Sequence, residues 1–96
     1  MSREEEVKQF VRSVADDSAE KAYEISQWAE VLGRFRASFS SVVNGTNDIS
    51  AKEVCDSFLG AQKELNKAAK ACAEAAKAGY DWCGDNQKTL VLKKVR

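Results

Sequence analysis

The chain has 96 residues, of which 44% are hydrophobic and 31% are charged, with no proline and no histidine. Its fifteen acidic and fifteen basic side chains cancel, whereas a nucleic-acid-binding face needs a basic excess, so no nucleic-acid partner is expected. No apolar run approaches the roughly 20 residues that cross a bilayer, so no membrane insertion is expected. The acidic start Ser2–Glu6 lacks the apolar segment of a secretory signal.

The first helix is predicted at about 3–43. Ser2 and Glu5 form a capping box, and the acidic first turn suits the helix dipole. After this cap, a stripe of residues follows at alternating intervals of four and three: Val7, Val11, Val14, Ser18, Lys21, Ile25, Trp28, Leu32, Phe35, Phe39 and Val42. Only Ser18 and Lys21 break its apolar character, so the stripe indicates a helix with one buried seam.

A polar turn is predicted at 44–49, where Gly45 suits the position just past a helix end. Ser50 and Glu53 repeat the capping box, and Ile49 and Val54 stand at the hydrophobic-staple positions. A second helix is therefore expected at about 51–82.

The second helix carries an equivalent four-three stripe, formed by Val54, Phe58, Ala61, Leu65, Ala68, Cys72, Ala75 and Gly79. A row beside it widens the apolar surface: Cys55, Leu59, Ala69, Ala76 and Cys83. The last segment, 87–96, is β-prone and then basic. It is interpreted either as a frayed, solvated tail or as a docking segment for an acidic partner.

Two helices joined by a short turn run antiparallel, so the predicted fold is an all-α hairpin over 1–86. Folding the chain about Thr46 brings Phe35 next to Phe58. The expected core lies near the turn and consists of Leu32, Phe35, Phe39, Val54, Phe58 and Leu65. Two helices leave much of their perimeter in water, so we expect the hairpin to assemble with a partner into a four-helix bundle. Homodimer and heterodimer both stay open.

The residues expected to contact the partner are Val11, Val14, Trp28, Cys72, Tyr80 and Trp82. The end of the hairpin distant from the turn is preferred, because its small residues bury little area within one chain. Trp28 is interpreted either as a core anchor or as a binding hot spot. The pair Tyr80 and Trp82 is interpreted either as a cap over the bundle end or as a recognition knob.

No enzyme, metal site or cofactor is expected. The commonest general base, histidine, is missing, and the three cysteines Cys55, Cys72 and Cys83 are too widely spaced for a zinc site. Cys72 and Cys83 lie about 16 Å apart on one helix, too far for a disulfide. Reduced thiols indicate folding in the cytoplasm, and secretion without a cleavable signal peptide stays open.

Residues 2–83 resemble the WXG superfamily. They share its length, its two long helices, a polar turn (here Asn44–Thr46) and aromatic residues near that turn. These ESX-like helical hairpins accompany type VII secretion. The family's Trp-X-Gly is missing from the turn, and Trp82-Cys83-Gly84 lies at the far end of the second helix. Tyr80 is followed four residues later by Gly84, so the family's Tyr-x-x-x-Asp/Glu export signal is also missing. No functional residue is carried over.

The chain looks more like divergent WXG-like accessory proteins encoded beside type VII toxins. The resemblance implies a targeting factor that binds the helical domain of a toxin or effector and presents it for export. Two alternatives stay open. One is a self-assembling homodimeric bundle with a structural or regulatory role, and the other is an immunity or antitoxin protein.

Overall fold

In the computed structural model, which describes residues 2–45 and 49–85, the chain forms two helices. They are α1 at Arg3–Val43 and α2 at Ile49–Cys83. Gly33 lies against Gln62 and Ala15 lies against Gly79, so residue numbers rise along α1 as they fall along α2. The helices are therefore antiparallel, and the predicted all-α hairpin is confirmed. The predicted tail at 87–96 and the centre of the turn lie outside the described residues.

The helix ends follow from local chemistry. The Ser2 hydroxyl accepts a hydrogen bond from the Glu5 N–H at 3.2 Å, which caps α1. After Val43, Gly45 takes a φ of +87°, a left-handed conformation that glycine adopts without strain. α2 begins at Ile49, two residues earlier than predicted, so Ser50 lies inside the helix rather than before it.

The two helices meet mainly through small side chains. The buried residues are Ala15, Ala22, Ala29, Ala51, Ala69, Ala73, Ala76, Tyr80 and Cys83. Seven of these nine are alanine, so the helices approach each other closely but hide little apolar area from water. One cluster, made of Ala15, Ala76 and Tyr80 with Ala19 beside it, lies toward the end of the hairpin distant from the turn.

On α1, three neighbouring rows of residues, each at seven-residue intervals, differ in burial. The inner row is buried and consists of Ala15, Ala22 and Ala29. The middle row is half-buried and consists of Val11, Ser18, Ile25, Leu32 and Phe39. The outer row is exposed and consists of Val7, Val14, Lys21, Trp28, Phe35 and Val42.

The predicted seam of α1 combined the middle and outer rows, and half of it is therefore wrong. The helix turns its inner alanine row toward α2 and leaves the larger outer row in water. Middle-row residues alternate with inner-row residues at intervals of four and three, and they alternate with outer-row residues in the same way. The periodicity of the sequence therefore fits a seam built with either row. Close approach of the two backbones favours the alanine row, because larger side chains in the seam would hold the helices apart.

The expected core near the turn is corrected in the same way. Phe35 is 54% exposed and Val54 is 38% exposed, so neither is buried in the hairpin. The other four residues are half-buried: Leu32, Phe39, Phe58 and Leu65. The predicted contact between Phe35 and Phe58 is confirmed, with ring centroids 6.4 Å apart in an edge-to-face arrangement.

Two glycines of α2 test how closely the helices pack. A Cβ at Gly60 would meet no atom within 4 Å, whereas one at Gly79 would lie 3.0 Å from the Ala15 Cβ. We expect Gly60→Ala to raise the free energy of unfolding by about 0.5–1 kcal/mol, through helix propensity. Gly79→Ala should bring no such gain, because Ala15 cannot move without separating the helices. Urea denaturation followed by circular dichroism measures both, and equal gains would contradict close packing at Gly79.

Candidate protein-binding face

The same three-row arrangement occurs on α2. Its inner row is buried or half-buried and consists of Cys55, Gln62, Ala69, Ala76 and Cys83. Its middle row is also buried or half-buried and consists of Ala51, Phe58, Leu65, Cys72 and Gly79. Its outer row is exposed throughout and consists of Val54, Ala61, Ala68, Ala75 and Trp82. The predicted stripe of α2 was thus its middle and outer rows. Four residues of the predicted flanking row belong to the inner row, namely Cys55, Ala69, Ala76 and Cys83.

The outer rows of both helices lie on one face of the hairpin. On each helix the outer row precedes the inner row by one residue, a rotation of about 100° in the same sense. Because the helices are antiparallel, equal rotations bring the two outer rows to the same side. A groove of about 580 Å³ agrees with this placement, since Leu32 of α1 lines it together with Val54, Phe58 and Ala61 of α2. We call this side, made of the outer and middle rows, the apolar face.

Large side chains stand open on the apolar face. Trp28 is 62% exposed and Trp82 is 57% exposed, and Val14 on the same face is 48% exposed. The opposite side of the hairpin is charged, and its exposed residues include Glu30, Arg34, Lys63 and Lys70. Contiguous exposed apolar surface of this kind marks interaction sites in soluble proteins. The two helices are therefore amphipathic as a pair, and no residue among 2–45 and 49–85 covers the apolar face.

Trp28 is an exposed member of the apolar face rather than an anchor of the hairpin core. Its indole borders a shallow groove of about 270 Å³ that Glu24, Gln27 and Val31 also line. Of the two interpretations drawn from the sequence, the core anchor is wrong for the isolated chain, because the helix turns its inner row toward α2. The hot-spot interpretation stays a prediction.

Lys21 is the one charged member of the two outer rows. Its ammonium group lies 3.2 Å from a carboxylate oxygen of Glu24, one turn along the same helix. This hydrogen bond raises the pKa of Lys21. Both side chains are exposed, so the pair contributes little to stability. Lys21 stays charged at neutral pH in the middle of an otherwise apolar row.

The C-terminus of α2 is closed by a backbone motif that positions Asp85. Gly84 has a φ of +83°, and its N–H donates to the Asp81 carbonyl at 3.1 Å. The Asp85 N–H donates to the Tyr80 carbonyl at 2.8 Å. These two bonds define a Schellman motif, which satisfies carbonyls that the helix end leaves free. The motif turns the chain back so that the Asp85 side chain reaches α1.

Polar contacts join the two helices at this end. The Arg12 Nε donates to a carboxylate oxygen of Asp85 at 2.7 Å, and this bond raises the pKa of Arg12. The Tyr80 hydroxyl donates to the Asp16 carboxylate at 2.6 Å. Burial first, and then the bond to Asp16, raise the pKa of Tyr80 above its usual value. Two polar pairs, between residues far apart in the chain, thus join the helices at the end distant from the turn.

This closure corrects two expectations about the partner surface. Tyr80 is 4% exposed, so it belongs to the hairpin core rather than to a surface open to a partner. The end distant from the turn also holds the buried cluster of Ala15, Ala76 and Tyr80, so it is not the end that lacks a core. Val14 and Trp82 are exposed there, whereas Val11 and Cys72 are half-buried.

The part of the chain described here holds no cluster of three metal-ligating side chains. Within residues 2–45 and 49–85, neither helix has the apolar length needed to cross a bilayer. All three cysteines are free thiols, and Cys83 is buried with its sulfur 3.6 Å from the Lys8 carbonyl oxygen. No known protein family matches the chain, and neither a curated protein nor a solved structure is significantly similar to it.

Proposed function

We propose that this chain is a non-catalytic helical binding protein that completes a four-helix bundle with a helical protein partner. One observation carries the proposal: the hairpin packs its alanines inward and leaves larger residues, at seven-residue spacing, on one open face. A second pair of helices laid on this face would bury those side chains. Bundles of four helices are built by such packing of apolar rows.

We further propose a WXG-like accessory role, in which the partner is the helical domain of a type VII secretion effector. The sequence resemblance over residues 2–83 supports this assignment, and the hairpin architecture is compatible with it. A helical effector domain offers the kind of surface that the apolar face requires, and binding would keep its own apolar residues from water before export. The chain itself needs no catalytic group for such a role.

A charge placed on the apolar face tests the proposal. Val14→Asp puts a carboxylate among apolar side chains at the contact, and Tyr23→Asp is the matched control. Tyr23 is 58% exposed on the opposite face of the same helix. We expect Val14→Asp to weaken binding at least tenfold, because a buried unpaired charge is costly. Tyr23→Asp should bind like the wild type.

The measurement mixes each purified variant with helical effector proteins encoded by adjacent genes, using light scattering for complex size and calorimetry for affinity. Circular dichroism must show equal helicity in both variants. A wild-type chain that stays a compact, cooperatively melting monomer and binds none of these proteins would overturn the proposal. Equal binding by both variants would show that the apolar face is not the contact.

A further inference from the structure

We propose that Lys21 selects the partner of the apolar face, and that this partner presents a helix with one carboxylate between apolar residues at seven-residue spacing. The inference deepens the proposed function and rests on it, since Lys21 acts only when a partner covers this face. Lys21 is the one charged residue in the two outer rows, and its side chain is 62% exposed. A single lysine within an apolar seam fixes the register of helices in coiled coils.

Lys21 is well separated from the large side chains of its own row. Val14 precedes it and Trp28 follows it by seven residues each, about 10 Å along the helix. Both are exposed apolar side chains. A partner helix lying along this row therefore meets apolar surface, then one ammonium group, and then apolar surface again. The helix that fits carries an acidic side chain at the central position and apolar side chains on either side of it.

Alanines stand beside Lys21 on the other helix. The contacts that Gly33 and Gly79 make between the helices place Lys21 level with about residue 73 of α2. Ala68 and Ala75 are the outer-row residues nearest that level, and both are exposed. Because a methyl group is much shorter than a lysine side chain, the ammonium group stands above a shallow part of the face. The space beside it suits a long acidic side chain such as glutamate.

The hairpin supplies only part of the hydrogen bonding that the Lys21 ammonium group needs. An ammonium group has three N–H donors, and within residues 2–45 and 49–85 a carboxylate oxygen of Glu24 accepts one of them at 3.2 Å. Asp17 and Glu20 favour the charged form through space. A partner that covers the face excludes the water around the other donors, and a charge left short of acceptors there is costly. A carboxylate of the partner supplies both acceptors and opposite charge.

A second copy of this chain does not supply that carboxylate from its own outer rows. These rows contain no acidic residue, so they offer Lys21 apolar side chains or another lysine. Lys21 therefore disfavours self-pairing and favours a different protein whose helix carries the acidic residue. Wholly apolar helices are disfavoured for the same reason. Specificity of this kind comes from the cost of the wrong partner as much as from attraction to the right one.

Binding of two designed helical hairpins tests this selection on the full chain. Both probes have leucines at seven-residue spacing along their contact rows, and they differ at one central position, which is glutamate in the first probe and leucine in the second. Calorimetry measures each affinity. We expect the wild type to bind the glutamate probe at least tenfold more tightly than the leucine probe, because only the former supplies acceptors for the ammonium group. Lys21→Leu should reverse this order.

Lys67→Leu is the matched control. Lys67 is also exposed and also pairs with a glutamate three residues away, Glu64 at 3.4 Å, but it lies outside the outer and middle rows. This variant should keep the preference of the wild type. Light scattering gives a second measurement that needs no probe. Lys21→Leu makes its row continuously apolar, so it should self-associate at a lower concentration than the wild type or Lys67→Leu. Circular dichroism checks that each variant keeps its helices.

Equal or undetectable binding of the two probes by the wild type would overturn selection by Lys21. A Lys21→Leu variant that self-associates no more than the wild type would overturn it as well. If an effector domain nevertheless binds the wild type, the proposed function stands without this inference. A wild type that binds neither the probes nor an effector domain would overturn both.

Discussion

Replacement of Tyr80 by alanine is expected to lower the free energy of unfolding by about 3–5 kcal/mol, the range for truncating a large buried ring. The ring lies in the cluster with Ala15 and Ala76, and these small neighbours cannot collapse into the space it would leave. Domains of this size have only about 5–15 kcal/mol of stability in total, so the loss is large.

Urea denaturation monitored by circular dichroism measures this loss. Tyr23→Ala is the control, since Tyr23 is exposed and its truncation should change stability by less than about 0.5 kcal/mol. Equal losses in the two variants would contradict the assignment of Tyr80 to the core.

The Tyr80 hydroxyl also predicts how stability depends on pH. Burial and the bond to Asp16 raise the pKa of Tyr80 in the folded chain, so the contribution of this group is fully present below the unfolded pKa of about 10. It is lost progressively as the pH rises above that value, because the unfolded chain then releases the proton more readily. We expect the wild type to lose more stability between neutral and strongly alkaline pH than Tyr80→Phe, which has no proton to release there.

The comparison of the two pH profiles isolates Tyr80 from the lysines that titrate in the same range, since both proteins share them. The ultraviolet absorbance of tyrosinate follows ionisation directly. Parallel profiles for the wild type and Tyr80→Phe would contradict a raised pKa of Tyr80, and with it both the burial of the phenol and its bond to Asp16.

A leucine in the alanine seam is expected to have the second large effect. Ala69 is fully buried between the helices, and Ala69→Leu should destabilise the hairpin by about 1–3 kcal/mol, because the added atoms force the backbones apart. Ala71→Leu, two residues along and exposed, keeps helix propensity nearly matched and should change stability little. Thermal melts at one fixed protein concentration compare the two. Equal melting temperatures would contradict an alanine seam.

Much of the architecture was predictable from local signals. The local signals are the Ser2–Glu5 cap, the long run without proline and the glycine at position 45. Each affects only the backbone near it, so each predicts a helix or a turn without knowledge of the fold. The pairing of Phe35 with Phe58 was predictable too, since a short turn sets which residues come level. The Schellman motif at Gly84 has a recognisable sequence signal, which is a glycine just after a helix. The contact of Asp85 with Arg12 that the motif allows cannot be predicted from residue spacing.

The candidate face was harder to predict. Phe35 was assigned to the core and Trp28 either to the core or to a binding hot spot, whereas Ala22 and Ala29 were assigned to neither. Residue size measures how much burial a side chain could gain, but not which neighbour will supply it. The polar pairs of Arg12 with Asp85 and of Tyr80 with Asp16 join residues far apart in the chain, and no local pattern identifies them.

The amino-acid sequence alone determined that this chain forms two helices, where each of them begins and ends within about two residues, and that they run antiparallel. These properties depend on hydrogen bonding and side-chain spacing within one helix or one turn. Only the tertiary structure decided which row of each helix faces the other and which face stays open. That choice depends on how closely the two helices approach each other. Every alanine of the seam contributes to this distance, so no single stretch of sequence determines it.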